Sequence, residues 1–559
     1  MAGFSRARNV TIDGFALAGL VIAAVTLSPI VALVVIASTG GAEVWTHLFV
    51  SVVPRATAET ALLTLGVAVF VVVVGTGCAW LVAAFDFPGR RVLEVALLLP
   101  LAFPAYVLAY AWIDLLHPIG PLQSALRGLL GYARPADFRL PELRSLPGAV
   151  LVFGFALYPY VYVAARAVFL SQMTTLTEAA RMLGVGPWGV FFRVALPLAR
   201  PAIAAGAALA IMETLNDVGA AEFLSVNTLT AAVWSTWVNR SDLPGAAQIA
   251  LAMLVFVLTL LMLERAARGG RGYVVVGRNM RRLAPRRLGG VVGGLALALA
   301  VLPALFGFLL PALHLARQAI ERIGFAGLPA EIVAETANTL LVAVLATVVA
   351  VAGALLVVGG RRLHHASRLH HVCAKVSTIG YAIPGTVLAI GLLTVFGALD
   401  GALRGVVSAL GLAPTGLVFS ASIGAVVVAL VVRFFRLAAS KIDTGLQRLS
   451  PSLDQSARTL GRSPFAVLRE IHLPLLTPAM AGAALLLFVD CMKELPATLL
   501  LRPMNFETLS THLYGEAARG TYENGALAAC LIVAFGLLPV MFLTGIGRTD
   551  SASREGDPS

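Results

Sequence analysis

Apolar residues fall along this chain in long blocks, and twelve of the blocks approach the ~20 residues that a helix needs to cross a hydrocarbon core. They lie near 14–38, 60–85, 93–116, 148–171, 200–224, 246–264, 289–312, 336–358, 373–397, 417–437, 478–501 and 525–546. Most of the basic residues sit in the connections between blocks. The pattern predicts an all-α integral membrane protein of about twelve transmembrane helices.

Composition agrees with that pattern. The 559 residues are 59% hydrophobic and 13% charged, with a mean hydropathy of +0.89, far from the balance of soluble domains. The net charge of +12 belongs to no soluble basic domain, so it points to orientation and away from nucleic acid. Arginines crowd into 265–287, recur at Arg361 and Arg362, and continue along 433–469. By the positive-inside rule these stretches, and the turn at Gly89-Arg90-Arg91, are expected in the cytoplasm. An even number of spans then puts both termini on that side. The first block follows Arg6 and Arg8 but is too long for a typical signal-peptide core, so it is expected to remain as a span. The four cysteines, Cys78, Cys373, Cys491 and Cys530, are scattered in or beside apolar blocks and offer neither a disulfide framework nor a zinc spacing.

Two polar-edged segments interrupt this pattern. Residues 178–197 read E-A-A-R-M-L-G-V-G-P-W-G-V-F-F-R-V-A-L-P, and residues 455–474 read Q-S-A-R-T-L-G-R-S-P-F-A-V-L-R-E-I-H-L-P. Gly184 answers Gly461, Pro187 answers Pro464, and Leu196-Pro197 answers Leu473-Pro474, always 277 positions apart. Each segment can form a short helix that ends at a left-handed glycine, with a new helix starting at the proline. Ala179, Ala180 and Ala457 would let another backbone approach closely, and Arg181 and Arg458 could pair with acids. A plain surface linker between two spans is the alternative.

The spacing resembles the cytoplasmic EAA loop of ABC-type import permeases. The resemblance implies docking on a separate cytoplasmic ATPase through Glu178, Ala179, Ala180, Gly184, Leu196 and Pro197, and through Gln455, Ser456, Ala457, Gly461, Leu473 and Pro474. Val194 stands where the motif prefers Ile, and Gln455-Ser456-Ala457 replaces E-A-A. The second copy lacks the carboxylate, so the two contacts are not expected to be energetically equal.

The repeat extends further. Glu59-Thr60-Ala61 opens one block as Glu335-Thr336-Ala337 opens another, and the run 103–109 answers 383–389. Six spans per half make the repeats parallel, unlike the inverted halves of many secondary transporters. The expected organisation is a module at 1–265, a basic cytoplasmic linker at 266–288, a second module at 289–547 and a cytoplasmic tail at 548–559. The proline-rich stretch 117–147 should face outside, as either part of a docking rim or a solvated connector.

Intramembrane charge is costly and normally faces a bundle interior or water. Glu213 and Asp217 sit four apart after the first motif, and Asp490 and Glu494 answer them after the second, with Lys493 alongside. These acids could line a cation path, or form an interfacial cluster that fixes helix register. The segments 212–223 and 493–503, the latter reading K-E-L-P-A-T-L-L-L-R-P, resemble those of fused ferric iron permeases. That resemblance covers nearly the whole chain. It implies a periplasmic binding protein delivering Fe(III), a cytoplasmic ATPase dimer, passage between the halves and residence in a bacterial inner membrane. Related permeases carry thiamine, polyamines, phosphonates or sulfate. An ATPase-independent channel or secondary transporter is a further alternative.

His364, His365, His370 and His371 could bind a metal or form a weakly basic patch near lipid headgroups. The three lysines, Lys375, Lys441 and Lys493, are none of them preceded by glycine, so no Walker A loop is present. No catalytic constellation is found, and no cofactor is expected in this chain. ATP is expected to act in the partner ATPase.

Overall fold

The structure, a computed structural model, describes residues 13–171, 180, 182–268, 285–364, 367–413 and 416–555. Eleven helices among them are long and apolar enough to cross a membrane, and a bent pair supplies a twelfth. In chain order they are α1 (Gly14–Thr39), α2 (Trp45–Ala84), α3 (Arg90–Ala102 and Ala105–Leu115, bent by 95°), α4 (Leu146–Leu170), α5 (Trp188–Asn216) and α6 (Leu243–Leu263). The second series is α7 (Gly290–Ala326), α8 (Ala330–Leu363), α9 (Gly385–Ala409), α10 (Ile423–Gln447), α11 (Pro464–Met492) and α12 (Tyr522–Met541). Each corresponds to one of the twelve apolar blocks. Among the described residues the all-α expectation holds apart from one two-residue parallel ladder, Phe85–Asp86 with Arg286–Arg287.

Helices that are apolar all round still divide their faces. On α2, Leu63, Val67 and Val71 are buried against protein, while Leu62, Leu65, Val69 and Val73 are exposed. The second set forms the face a helix turns to lipid. In the 117–147 stretch, a short helix Pro121–Leu130 is held from below. Gln123 donates to the Leu116 carbonyl at 2.6 Å and Arg127 to that of Pro118 at 2.8 Å.

Five-residue π-helical turns occur at Leu48–Val52, Phe191–Ala195, Ser235–Asn239, Leu305–Leu309 and Leu468–His472. All but the Ser235–Asn239 turn are followed two residues later by a proline: Pro54, Pro197, Pro311 and Pro474. Proline lacks the donor for the carbonyl four residues back and its ring collides with that carbonyl. The widened turn lets the helix continue through the defect instead of ending there.

The chain forms two compact units that run across the sequence modules. One comprises 1–40 with 333–508, and the other 41–332 with 509–559. In the first unit α1 packs on the second repeat: a Cβ on Gly353 of α8 would lie 2.9 Å from Ile22, and one on Gly391 of α9 would collide with the Pro29 carbonyl. In the other unit α7 packs on the first repeat, where Trp112 of α3 donates to the Phe306 carbonyl at 3.1 Å. A Cβ on Gly307 of α7 would lie 2.7 Å from the Phe155 carbonyl of α4. The leading span of each repeat is thus housed with the other repeat.

Small residues permit the close helix approaches on which lipid-embedded packing relies. A Cβ on Gly75 would lie 2.8 Å from both the Tyr158 carbonyl and Val161 of α4, whereas one on Gly77 would meet nothing within 4 Å. Gly75→Leu is therefore expected to destabilise the protein by at least ~1–3 kcal/mol, the range for overpacking. Gly77→Leu should leave it unchanged. Thermal unfolding in detergent, monitored by fluorescence-detected size exclusion, distinguishes the two.

Candidate functional site

The second repeated segment is described in full. Ser450 caps the helix Pro451–Thr459, and Gly461 adopts φ +76° just beyond it. Gly461 N–H donates to the Arg458 carbonyl at 3.0 Å and Arg462 N–H to that of Ala457 at 3.0 Å. These are the two bonds of a Schellman cap. In the first segment Gly184 has φ +78°, and Val185 N–H donates to the Ala180 carbonyl at 3.0 Å. That bond is the counterpart of the Arg462 bond in the second copy. Glu178, Ala179 and Arg181 lie outside the described residues; Ala180 is half-buried.

Both segments then follow one course. Pro187–Val190 and Pro464–Val467 start a helix, the π-helical turns come next, and α5 and α11 continue from Leu196-Pro197 and Leu473-Pro474. Ser463 caps the second start by accepting from Ala466 N–H at 3.3 Å.

One face of the second segment is anchored. Ala457 is buried with Phe15, Leu363, Val467 and Leu468. Asp454 accepts from Arg362 Nε at 2.7 Å and pairs with His472 Nε2 at 2.7 Å. Arg362 also donates to the Leu449 carbonyl at 3.0 Å and to that of Leu446, and Arg458 donates to the Leu363 carbonyl. Burial alone would raise the Asp454 carboxyl, but the bonds from His472 and Arg362 outweigh it and hold the group below its ordinary range. The opposite face is open, with Gln455 and Ser456 exposed. Leu460 is 80% exposed and Phe465 59%; at the matching positions of the first segment Leu183 is 83% and Trp188 72% exposed. Large apolar groups held out on both copies are what a docking surface presents.

The intramembrane acids divide by role. α5 stops at Asn216, and Asp217 caps the next helix, Val218–Phe223. Its carboxylate accepts from Ala220 N–H at 2.8 Å and from Tyr106 N–H at 3.0 Å. In the other unit α11 stops at Met492, and Glu494 lies just before the N-cap of the next helix, Pro496–Leu501. It accepts from Ala497 N–H at 2.8 Å, Thr498 N–H at 2.9 Å and the Thr498 hydroxyl at 2.7 Å. Both residues supply acceptors to backbone donors that a broken helix leaves open in the membrane. Asp490 is more accessible and pairs with Lys493 Nζ at 3.5 Å, and Glu213 is half-buried on α5.

Glu494 has a further partner that the charge pattern alone assigns elsewhere. Arg433, grouped by sequence with the basic connections, lies within α10. There it is buried and donates to Glu494 at 2.8 Å. An arginine inside an apolar block was the available signal, since such a charge demands a partner. A Cβ on Gly385 would collide with the Arg433 guanidinium, so the arginine reaches Glu494 over a residue with no side chain.

Removing one member of a buried ion pair leaves an uncompensated charge, at a cost of about 3–5 kcal/mol. Glu494→Ala and Arg433→Ala are each expected to reduce the amount of folded protein in membranes and lower its melting temperature. The double variant should lose less than the sum of the two. Asp490→Asn should leave both measures at the parent level.

With this geometry in place, comparison with known proteins becomes informative. The family model for "Binding-protein-dependent transport system inner membrane component" matches residues 71–267. The chain is 25% identical over 498 residues to the Fe(3+)-transport system permease protein FbpB 2 of Haemophilus influenzae, covering 87% of this chain and 88% of that one. It is 31% identical over 200 residues to the molybdenum transport system permease protein ModB of Escherichia coli, covering 34% of this chain and 84% of the relative. To the sulfate transport system permease protein CysT of Escherichia coli it is 28% identical over 264 residues, covering 46% and 92%. A repeated segment with a left-handed glycine and exposed large apolar side chains in both copies, set among twelve spans, fits these similarities, and the chain belongs to the inner membrane components of binding-protein-dependent transport systems, the permeases of ABC importers.

Proposed function

We propose that this permease carries ferric iron. The observation that supports it is coverage: the iron permease matches both repeats, over 87% of this chain, while the molybdenum permease matches 34% of it and the sulfate permease 46%. Two modules fused in one polypeptide are shared with the iron relative. Molybdate or sulfate is the second reading, favoured by the higher identity of 31% to the molybdenum permease.

In this reading a periplasmic binding protein delivers the ion, and a cytoplasmic ATPase dimer seats on the open faces of the two coupling segments. The chain hydrolyses nothing itself. It lies in a bacterial inner membrane, and its basic connections place both termini in the cytoplasm. Leu183, Trp188, Leu460 and Phe465 form the apolar part of the ATPase contact. Rotation of the seated segments is passed into α5 and α11, which continue from them without a loop. Glu213 and Asp490, with Lys493, belong to the ion's route. Asp217 and Glu494 hold the bends beside it. The pore needs to hold the ion only weakly, because the ion must leave as well as enter.

Uptake of radiolabelled Fe(III) by cells with and without the chain, with molybdate, sulfate and thiamine in parallel, tests the substrate. Loss of iron uptake alone is expected; intact iron uptake with loss of an oxyanion would select the second reading. Coupling is tested separately. Leu460→Glu with Phe465→Glu should lower transport-linked ATP hydrolysis on the order of tenfold or more, as loss of buried apolar anchors does at interfaces, with membrane insertion unchanged. Gly461→Val should act in the same direction through the backbone. Its Cβ would meet nothing within 4 Å, so the fault lies in a φ that valine resists.

A further inference from the structure

Outside the coupling segments and the intramembrane acids, one cluster of metal-ligating side chains stands out. Asp13, His364 and His370 each offer a ligand atom, and these atoms all lie within 4.8 Å of one another. The sequence places Asp13 more than 350 positions from the histidines, and folding brings them together where α1 starts, α8 ends and the short helix Arg368–Val376 begins. Of the four histidines in the H-H-x4-H-H pattern, these two belong to the cluster; His365 lies outside the described residues.

The arrangement matches a built metal site in three respects. The first is spacing. Asp13 Oδ2 is 3.1 Å from His364 Nε2, and Asp13 Oδ1 is 3.3 Å from His370 Nε2. Two ligands on one ion with bonds of ~2.0–2.1 Å in tetrahedral geometry lie about 3.3 Å apart. The second is tautomer control. His364 Nδ1 is 3.3 Å from the Gly360 carbonyl and His370 Nδ1 is 2.8 Å from the Ser367 hydroxyl. Engaging Nδ1 leaves each Nε2 directed at Asp13, the outer hydrogen bonding that orients imidazole ligands. The third is rigidity. The two rings stack at 4.7 Å with 15° between planes, and Asp13 is fixed as the cap of α1 by Ala16 N–H at 2.7 Å.

We propose that Asp13, His364 and His370 bind one divalent first-row transition ion of the Fe(II), Co(II) or Zn(II) class. Two imidazoles and one carboxylate suit such ions better than Mg(II) or Ca(II), which take oxygen ligands, or Fe(III), which prefers hard oxygen donors. Three protein ligands leave the remaining positions to water. The ion ties the start of α1 to the end of α8. Phe15, two residues beyond Asp13, packs in the same buried cluster as Ala457, Val467 and Leu468. The site therefore abuts the support of the second coupling segment, and it is independent of which solute the permease carries.

The test uses the full-length protein in detergent, stripped with a chelator and titrated with Co(II) by visible absorption and with Zn(II) by calorimetry. The expected result is one equivalent whose cobalt spectrum and binding heat both vanish in Asp13→Asn and in His364→Ala/His370→Ala. Asparagine still caps α1, so Asp13→Asn removes the ligand and keeps the fold; an unchanged stripped-state melting temperature verifies this. Ser367→Ala should weaken binding about tenfold through loss of ring orientation, while His371→Ala should retain it. Absence of binding in the parent, persistence of the equivalent in Asp13→Asn, or equal loss in His371→Ala would each overturn the assignment.

Discussion

A helix that breaks inside a hydrocarbon layer exposes N–H groups to a medium that offers no hydrogen bonds. This constraint shapes much of the structure. Where α5 and α11 stop, Asp217 and Glu494 provide acceptors for the helices that follow. At Pro54, Pro197, Pro311 and Pro474, which each lack a donor, π-helical turns carry the chain through. Glu494 brings in a buried charge, so Arg433 must accompany it, and Gly385 must be glycine to let the arginine through. A backbone requirement thus propagates into an ion pair and then into a packing rule on a third helix.

The two repeated segments share the left-handed glycine and the helix start that follows it, but differ in the side chains at matching positions. Asp454 and His472, which tie the second segment to Arg362, are Thr177 and Ala195 at the matching positions of the first. The first copy has the E-A-A carboxylate and lacks that acid–histidine pair; the second has the pair and lacks the carboxylate. Each segment carries acidic charge at a different place in the repeated sequence. The asymmetry seen in the motif is therefore accompanied by a second, in the support beneath it.

Much of this was legible from the chain alone, for identifiable reasons. Spans declare themselves by length and hydropathy, and two motif copies held 277 residues apart carry their own register. The left-handed glycines followed from position relative to the prolines, and Gly184 and Gly461 adopt that conformation. Partners distant in sequence were less visible. The pairing of Glu213 with Asp217 by helical spacing presumed a continuous helix, and the break after Asn216 gives Asp217 a capping role. Asp13 carried no signal of its own, because only folding sets it against His364 and His370. Nor does hydropathy record which apolar helix packs on which, so the exchange of leading spans between repeats was invisible to it.

That exchange also sets a timetable for synthesis. α1 leaves the ribosome some 370 residues before α9, one of the helices it packs against. At a translation rate of ~5–20 residues per second, α1 waits roughly 20–70 s in lipid before α9 exists. Its hydropathy of 2.8 over the best window is among the highest of the spans, which suits a helix that must be stable in the bilayer alone. The latecomer α9, with a hydropathy of 1.9, enters a membrane where its companion is already waiting. The contact between α1 and α9 thus closes only after the seven intervening spans have been made.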